Sequence, residues 1–211
     1  MFILSVLKDT IKIEPADFRK PKQEAITDEV NKKYANKVVQ EIGLCISLFD
    51  IIEASEGVIH HGDGCSYVKA TFRMVIFRPF INEVLTGTIK SCSEKGIRVS
   101  VGFFDDITIP PGCLQSGSSF DAEERVWIWN YDGEKLYMDI EEQIRFQVLS
   151  EVFTDTTPTP TNIGPTGRRQ SAADATAAND LAANSTKIPP YALTGSIATD
   201  GLGPISWWGG Q

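Results

Sequence analysis

The stretch 70–114, ATFRMVIFRPFINEVLTGTIKSCSEKGIRVSVGFFDDITIPPGCL, constrains the fold most, because one unit ends and another begins inside it. Phe72, Met74 and Ile76 alternate with Arg73, Val75 and Phe77, the period-2 signature of a β-strand. Arg78-Pro79 then stops the strand. Proline donates nothing to a ladder and biases the residue before it toward an extended conformation, so Pro79 marks an exit.

Beyond that exit, 83–91 and 96–101 read as two strands joined by a polar connector at 91–95. In the second, Ile97, Val99 and Val101 share one face and Arg98 and Ser100 the other. Gly87, inside the first strand, predicts a bulge or sharp coil that lets a small barrel close. Phe103 and Phe104 follow, then Asp105-Asp106, a strand at 107–109 and a Pro110-Pro111-Gly112 corner. A bent strand, a hairpin and a third strand are how a five-stranded OB barrel opens, and such barrels bind oligonucleotides or other chains on an open face.

Upstream, 1–7 reads as a strand, 8–10 as a turn and 11–13 as its continuation. The apolar start is too short for a membrane span and lacks the basic lead and cleavage site of a signal peptide. From 21 to 34, Ala25, Ile26, Val30 and Tyr34 recur at helical spacing, with Pro21 in the first turn. Lys32, Lys33 and Lys37 near its end complement the helix dipole. Residues 38–52 read as one long strand with a bulge at Gly43. Strand, helix and curved antiparallel sheet make 1–81 an α+β domain. Between its later strands lies His60-His61-Gly62-Asp63-Gly64. One carboxylate beside two adjacent histidines is no metal site, and a glycine-flanked turn reads as a protruding docking loop or a hairpin tip.

Residues 82–153 are assigned to the barrel, which continues past a polar insertion at 115–125. There Trp127, Trp129 and Tyr131 share one strand face, read as core or protein interface because no basic residues interleave with them. Asp132-Gly133 turns the chain into 134–139, and 143–153 alternates as the closing strand. Thr, Pro, Ala, Asn and Ser then dominate 154–187, which is expected to be disordered. Apolar residues return in 188–211, a segment expected to pack back on the barrel.

Charge restricts the function. Residues 1–81 carry 11 basic and 11 acidic side chains, whereas 82–153 carry 6 and 13. Phosphate affinity comes from Lys and Arg, so an acidic barrel binds nucleic acid weakly and locally. Cys45, Cys65, Cys92 and Cys113 have no metal-ligand spacing and read as reduced thiols of a cytosolic or nuclear protein. No nucleotide-binding loop and no nucleophile motif is present, and Asp105-Asp106 reads as a solvated turn, so neither catalytic residues nor a cofactor is expected.

MFILSVLKDTIKI, EAITDEVNKKYANKVVQEIGLCISLFDI, FRPFINEVLTGTIKSCSEKGIRVSVGFFDDITIPP, VWIWNYDGEKLYMDIEEQIRFQV and the late ISWW occur in order and at ordinary spacing. Together they resemble the OB-fold stalk subunits of eukaryotic RNA polymerase III over 1–153 and again over 188–208. The resemblance implies a ribonucleoprotein-like N-terminal domain, an OB domain, and a non-catalytic nuclear subunit that pairs with a small helical stalk subunit. It further implies docking on the polymerase core through His60, His61, Gly62, Asp63 and Gly64, support of initiation, and contact with nascent RNA. Lys90, Lys95, Arg98 and Phe103 lie where the family's barrel faces RNA, and the groove between the domains, spanned by 79–82, is the expected seat of the helical partner. The competing reading is a free-standing OB protein of RNA processing or translation.

Overall fold

The computed structural model describes residues 1–155 and 188–208. Alternation at the start of the chain runs on unbroken: β1 is a single strand, Phe2–Ile13, with no turn at 8–10. Lys33 and Tyr34 both donate to the Asp9 carboxylate, at 2.5 and 2.6 Å, which satisfies the strand's polar midpoint without a turn.

A 3₁₀ turn at Pro15–Arg19 leads into α1, Lys22–Tyr34, with Pro21 at the N-cap. Ala25, Ile26 and Val30 form its buried stripe. The lysines at its end are locally paired, Lys32 with Glu29 and Lys33 with Asp9. The long strand expected at 38–52 is instead a hairpin of β2, Lys37–Val39, and β3, Gly43–Ala54. Gly43 has φ +130°, and a Cβ there would lie 2.8 Å from the Phe77 carbonyl oxygen, so this glycine turns the chain against its neighbour.

Next come β4, Val58–Ile59, and β5, Ser66–Phe77. The antiparallel sheet runs β1-β5-β3-β2, with β4 also on β5. β1 and β5 match residue for residue from Phe2 opposite Phe77 to Ile13 opposite Ser66. α1 covers one face, burying Ile11, Phe72, Met74 and Ile76 with its own stripe.

The second unit comprises β6, Val84–Ser93; β7, Gly96–Ser100; β8, Ile107–Ile109; β9, Ser118–Asp121; β10, Val126–Tyr131; β11, Glu134–Met138; β12, Gln143–Phe153; β13, Tyr191–Ser196; and β14, Gly203–Pro204. β12, β6, β7, β8 and β13 form a ring, because β13 pairs with both β8 and β12. This is the five-stranded barrel. Its closure falls to β13 rather than to 143–153. β8 is only three residues long, and β13 fills its open edge in parallel, Leu193 opposite Ile107 and Thr194 opposite Thr108. The bulge expected at Gly87 lies instead between Ile89 and Ser91, and Gly87 serves a close approach, since a Cβ there would stand 2.6 Å from Val99 Cγ1. β9, β10 and β11 form a separate sheet outside the ring, so the polar insertion at 115–125 itself contributes a strand. Apart from Thr154 and Asp155, the stretch expected to be disordered lies outside the described residues.

The two units share side chains where β5 ends. Ile76 belongs to the core under α1, whereas its neighbour Phe77 points to the opposite face and belongs to the barrel core. On β3, Cys45 and Leu44 divide in the same way. Strand alternation therefore delivers one residue of each pair to each core, and the cores meet through a single sheet.

Candidate docking and nucleic-acid surfaces

Four surfaces bear on function: the seam between the units, the tip of the first unit, the basic side chains of the barrel, and the sheet face opposite α1. At the seam, Phe77 meets Phe103 edge-on at 4.9 Å and Phe104 at 5.3 Å, and Phe2 stacks on Phe103 at 5.8 Å. The chain of rings continues from Phe104 to Tyr191 and Phe153. Arg78 lies over Phe153, donates to both Glu151 oxygens and bonds the Glu41 carbonyl at 2.6 Å. Tyr191 donates to the same Glu151 at 3.2 Å, and burial beside that carboxylate pushes its hydroxyl pKa up. At the connector, the Met1 amino group donates to both Glu83 oxygens at 2.5 and 2.7 Å. These rings and the Arg78–Glu151 pair fill the middle of the groove expected between the domains. Two open clefts flank it: one of about 300 Å³ lined by Phe2, Asn36, Leu44, Cys45, Ile46 and Phe103, and one of about 290 Å³ between the units, where Val38 and Leu44 face Phe104, Asp105, Asp106 and Tyr191.

At the far end, His60, His61, Gly62, Asp63 and Gly64 form one exposed turn after β4. It is held by polar contacts: Gly64 N–H to the His60 carbonyl at 3.0 Å, Cys65 N–H to Asp63 Oδ1 at 3.1 Å, and Tyr67 hydroxyl to Asp63 Oδ2 at 2.7 Å. The Tyr67 and Cys65 hydrogen bonds, with Lys12 nearby, lower the Asp63 pKa to about 2. The histidine rings are free of the core, and Val58 is 73% exposed next to them. The structure brings all five tip residues together. Tyr67 and Lys12, which fix the turn, were missed in the sequence because they lie on flanking strands.

In the barrel, Lys90 pairs with Asp105, and Arg98 donates to Asp106 Oδ1 at 2.8 Å and to the Asp105 carbonyl. Lys90 and the Ser100 hydroxyl hold the Asp105 carboxyl below its usual range. Lys95 sits exposed on the β6–β7 turn, and Phe103 is turned onto Phe77 at the seam. The four do not converge on one free basic patch. Among the aromatic stripe, Trp127 is buried and donates to the Ser93 carbonyl, while Trp129 stands between Tyr131 and Trp207 at 4.8 and 5.2 Å.

The fourth surface carries no motif in the sequence. The face of the first sheet opposite α1 is covered by the barrel only at its Phe77 end; along the rest, Leu4, Val6, Phe49 and Ile52 stand about half exposed around the Arg73–Asp50 ion pair, with Arg73 lying over the Phe49 ring. The signal was present in apolar residues on both faces of β1, a pattern expected of a strand covered on both sides.

A family model described as RNA polymerase III subunit Rpc25 matches residues 83–208, more than half of the chain. The chain belongs to this family. The SHS2 domain found in the N terminus of Rpb7p/Rpc25p/MJ0397 matches residues 8–64, so the α+β unit of this Rpc25-family chain is an SHS2 domain. DNA-directed RNA polymerase III subunit RPC8 of Bos taurus is 47% identical over 99% of this chain and 98% of its own length. Its counterpart in Schizosaccharomyces pombe is 46% identical over 99% and 100%. Subunit RPB7 of RNA polymerase II from Saccharomyces cerevisiae is 30% identical, over 48% of this chain and 61% of its own length. The Rpc25-family barrel, including β13, lies wholly within the first match.

Proposed function

We propose that this chain is a non-catalytic stalk subunit of nuclear RNA polymerase III. It pairs with a small helical subunit, docks on the polymerase core through its tip, and supports initiation. The observation that carries this reading, beside family membership, is the pair of unpartnered surfaces on one rigid body: the half-exposed apolar sheet face and the projecting tip. Half-exposed apolar side chains around the Arg73–Asp50 pair, next to the seam, fit the apolar stripe of an amphipathic helix, which buries them without disturbing either core. The tip at the other end offers His60 and His61 as exposed rings on a turn pinned by Asp63. Contact with nascent RNA is local in this reading, made at Lys95 and the edges of Lys90 and Arg98, because carboxylates already engage two of these cations. The same pairing, with the acidic barrel, argues against a free-standing RNA binder.

Co-expression with the small helical subunit tests the proposal. Phe49→Asp with Ile52→Asp is expected to abolish co-purification while leaving the circular dichroism of the chain unchanged, since both side chains are exposed. A two-alanine change at His60 and His61 is expected to keep the heterodimer but lose the polymerase III core in a pull-down. Undiminished recovery with both variants would sink the stalk reading, and recovery of RNA-processing factors alone would favour the free-standing one.

A further inference from the structure

The sheet β9–β11 and the turns around it, residues 115–142, hold 8 acidic side chains against Arg125 and Lys135 alone. The remainder of the chain is close to neutral, with 20 acidic and 18 basic side chains. Elsewhere ten carboxylates sit in ion pairs, among them Asp9, Asp28, Asp50, Asp63, Asp105 and Glu151. None of the eight in this excursion forms a salt bridge with a described residue. Unneutralised charge on an element that the barrel does not need for closure calls for a partner outside it.

The sheet also has an open edge. β11 pairs only with β10, in a hairpin whose two-residue turn has φ +50° at Asp132 and +89° at Gly133. In such a hairpin the pair closing the turn, Tyr131 and Glu134, is hydrogen-bonded, and bonding alternates from there. Trp129–Leu136 and Trp127–Met138 are then bonded pairs, so the backbone N–H and C=O of Lys135 and Tyr137 face outward. Tyr137 holds an exposed ring on that edge strand, and Tyr131, at the turn on the neighbouring strand, holds another on the opposite face of the sheet. Trp129, wedged between Tyr131 and Trp207, fixes the hairpin to the barrel's last turn, so the edge is presented rigidly.

We propose that the β11 edge is a docking site for an extended, Lys/Arg-rich polypeptide segment of a partner protein, which joins the sheet as a further strand. Main-chain bonds to Lys135 and Tyr137 supply the affinity, alternate basic side chains meet the carboxylates, and the tyrosine rings accept cations on their faces. Charge selects this occupant over the others. RNA phosphates are repelled, and a second copy of the chain would bring an equally acidic edge against this one. Lys135 is the usual single edge lysine that discourages self-pairing. The site stands on different residues from those of the stalk reading.

The test is hydrogen exchange on the full chain with a synthetic peptide that alternates Lys or Arg with Val. Slowed exchange at the Lys135 and Tyr137 amides, with affinity falling as salt rises, is the expected result. Tyr137→Pro removes one outward N–H and is expected to weaken the peptide about tenfold, the size of one or two lost hydrogen bonds. Glu134→Gln with Asp132→Asn is expected to weaken it by a similar factor at low salt only. Should Tyr137→Pro fail to fold, the same peptide N-methylated at alternate residues leaves the protein intact and must lose binding. Unchanged exchange at β11, equal affinity of the methylated peptide, or protection of β11 by single-stranded RNA instead would each overturn the proposal.

Discussion

The seam and the tip are made from opposite materials. At the seam, Phe77 and Leu44 leave the SHS2 sheet and enter the barrel core, both nearly or wholly buried, and the surrounding rings exclude water. At the tip, every side chain from 60 to 64 is exposed, and a handful of hydrogen bonds to Asp63 and His60 keep the turn in shape. Apolar burial is cooperative and unspecific, so it welds two domains into one lever. Local polar contacts cost little to rearrange, so they suit a contact that must adapt to a larger surface. The proposed docking at the tip draws on the second property and the joined domains on the first.

The welded seam is easiest to break at Phe77. Phe77→Ala removes a fully buried ring from the point where both cores meet and is expected to cost about 3–5 kcal/mol. Urea unfolding of the unmodified chain should show one transition, because neither core is complete without the shared residues. Two separated transitions would mean that the domains are merely adjacent. Next in size is Arg78→Ala, which leaves Glu151 facing Tyr191 without its cation and is expected to cost about 1–2 kcal/mol by the same measurement. Restoring the charge with Lys should recover only part, since one ammonium does not replace the guanidinium's bonds to Glu151 and the Glu41 carbonyl.

The contrast between these regions also explains what was legible in advance. Alternation exposed β5, β7 and the α1 stripe, and Asp132-Gly133 announced the hairpin, because each signal is local. The barrel was readable as a fold, but its closing strand was not. β13 pairs with β8 across more than eighty residues, and nothing in Tyr191–Ser196 itself names that partner. Gly43 was misread because a glycine in an apolar run looks alike whether it bulges a strand or turns a hairpin. The five tip residues were legible as a turn from their glycines, whereas the double duty of Phe77 was hidden: a strand residue facing away from one core reads as exposed until a second domain covers it.

At the tip the expected effects are smaller and of another kind. Asp63 is held at a pKa of about 2 against an ordinary 3.8, so its contribution to tip order is complete above pH 4 and is lost as pH falls toward 2. The carboxyl-carbon resonance of Asp63 should report that midpoint, and the Cys65 amide should begin to exchange faster in the same window. Asp63→Asn should erase the pH dependence there while leaving the seam amides unaffected. A midpoint near 3.8 would show that the turn is not pinned by these hydrogen bonds.

Tyr67→Phe gives the finest separation of the two regions. It deletes only the hydroxyl that donates to Asp63, on a strand whose other end supplies Phe77 to the seam. If the tip is held locally, exchange at Gly64 and Cys65 should quicken while the urea midpoint of the whole chain stays where it was, because opening a terminal turn leaves both cores intact. If the strand transmits the loss, the midpoint must fall with it. Tip and seam would then behave as one cooperative unit, and the adaptable contact surface would have to be sought elsewhere on the chain.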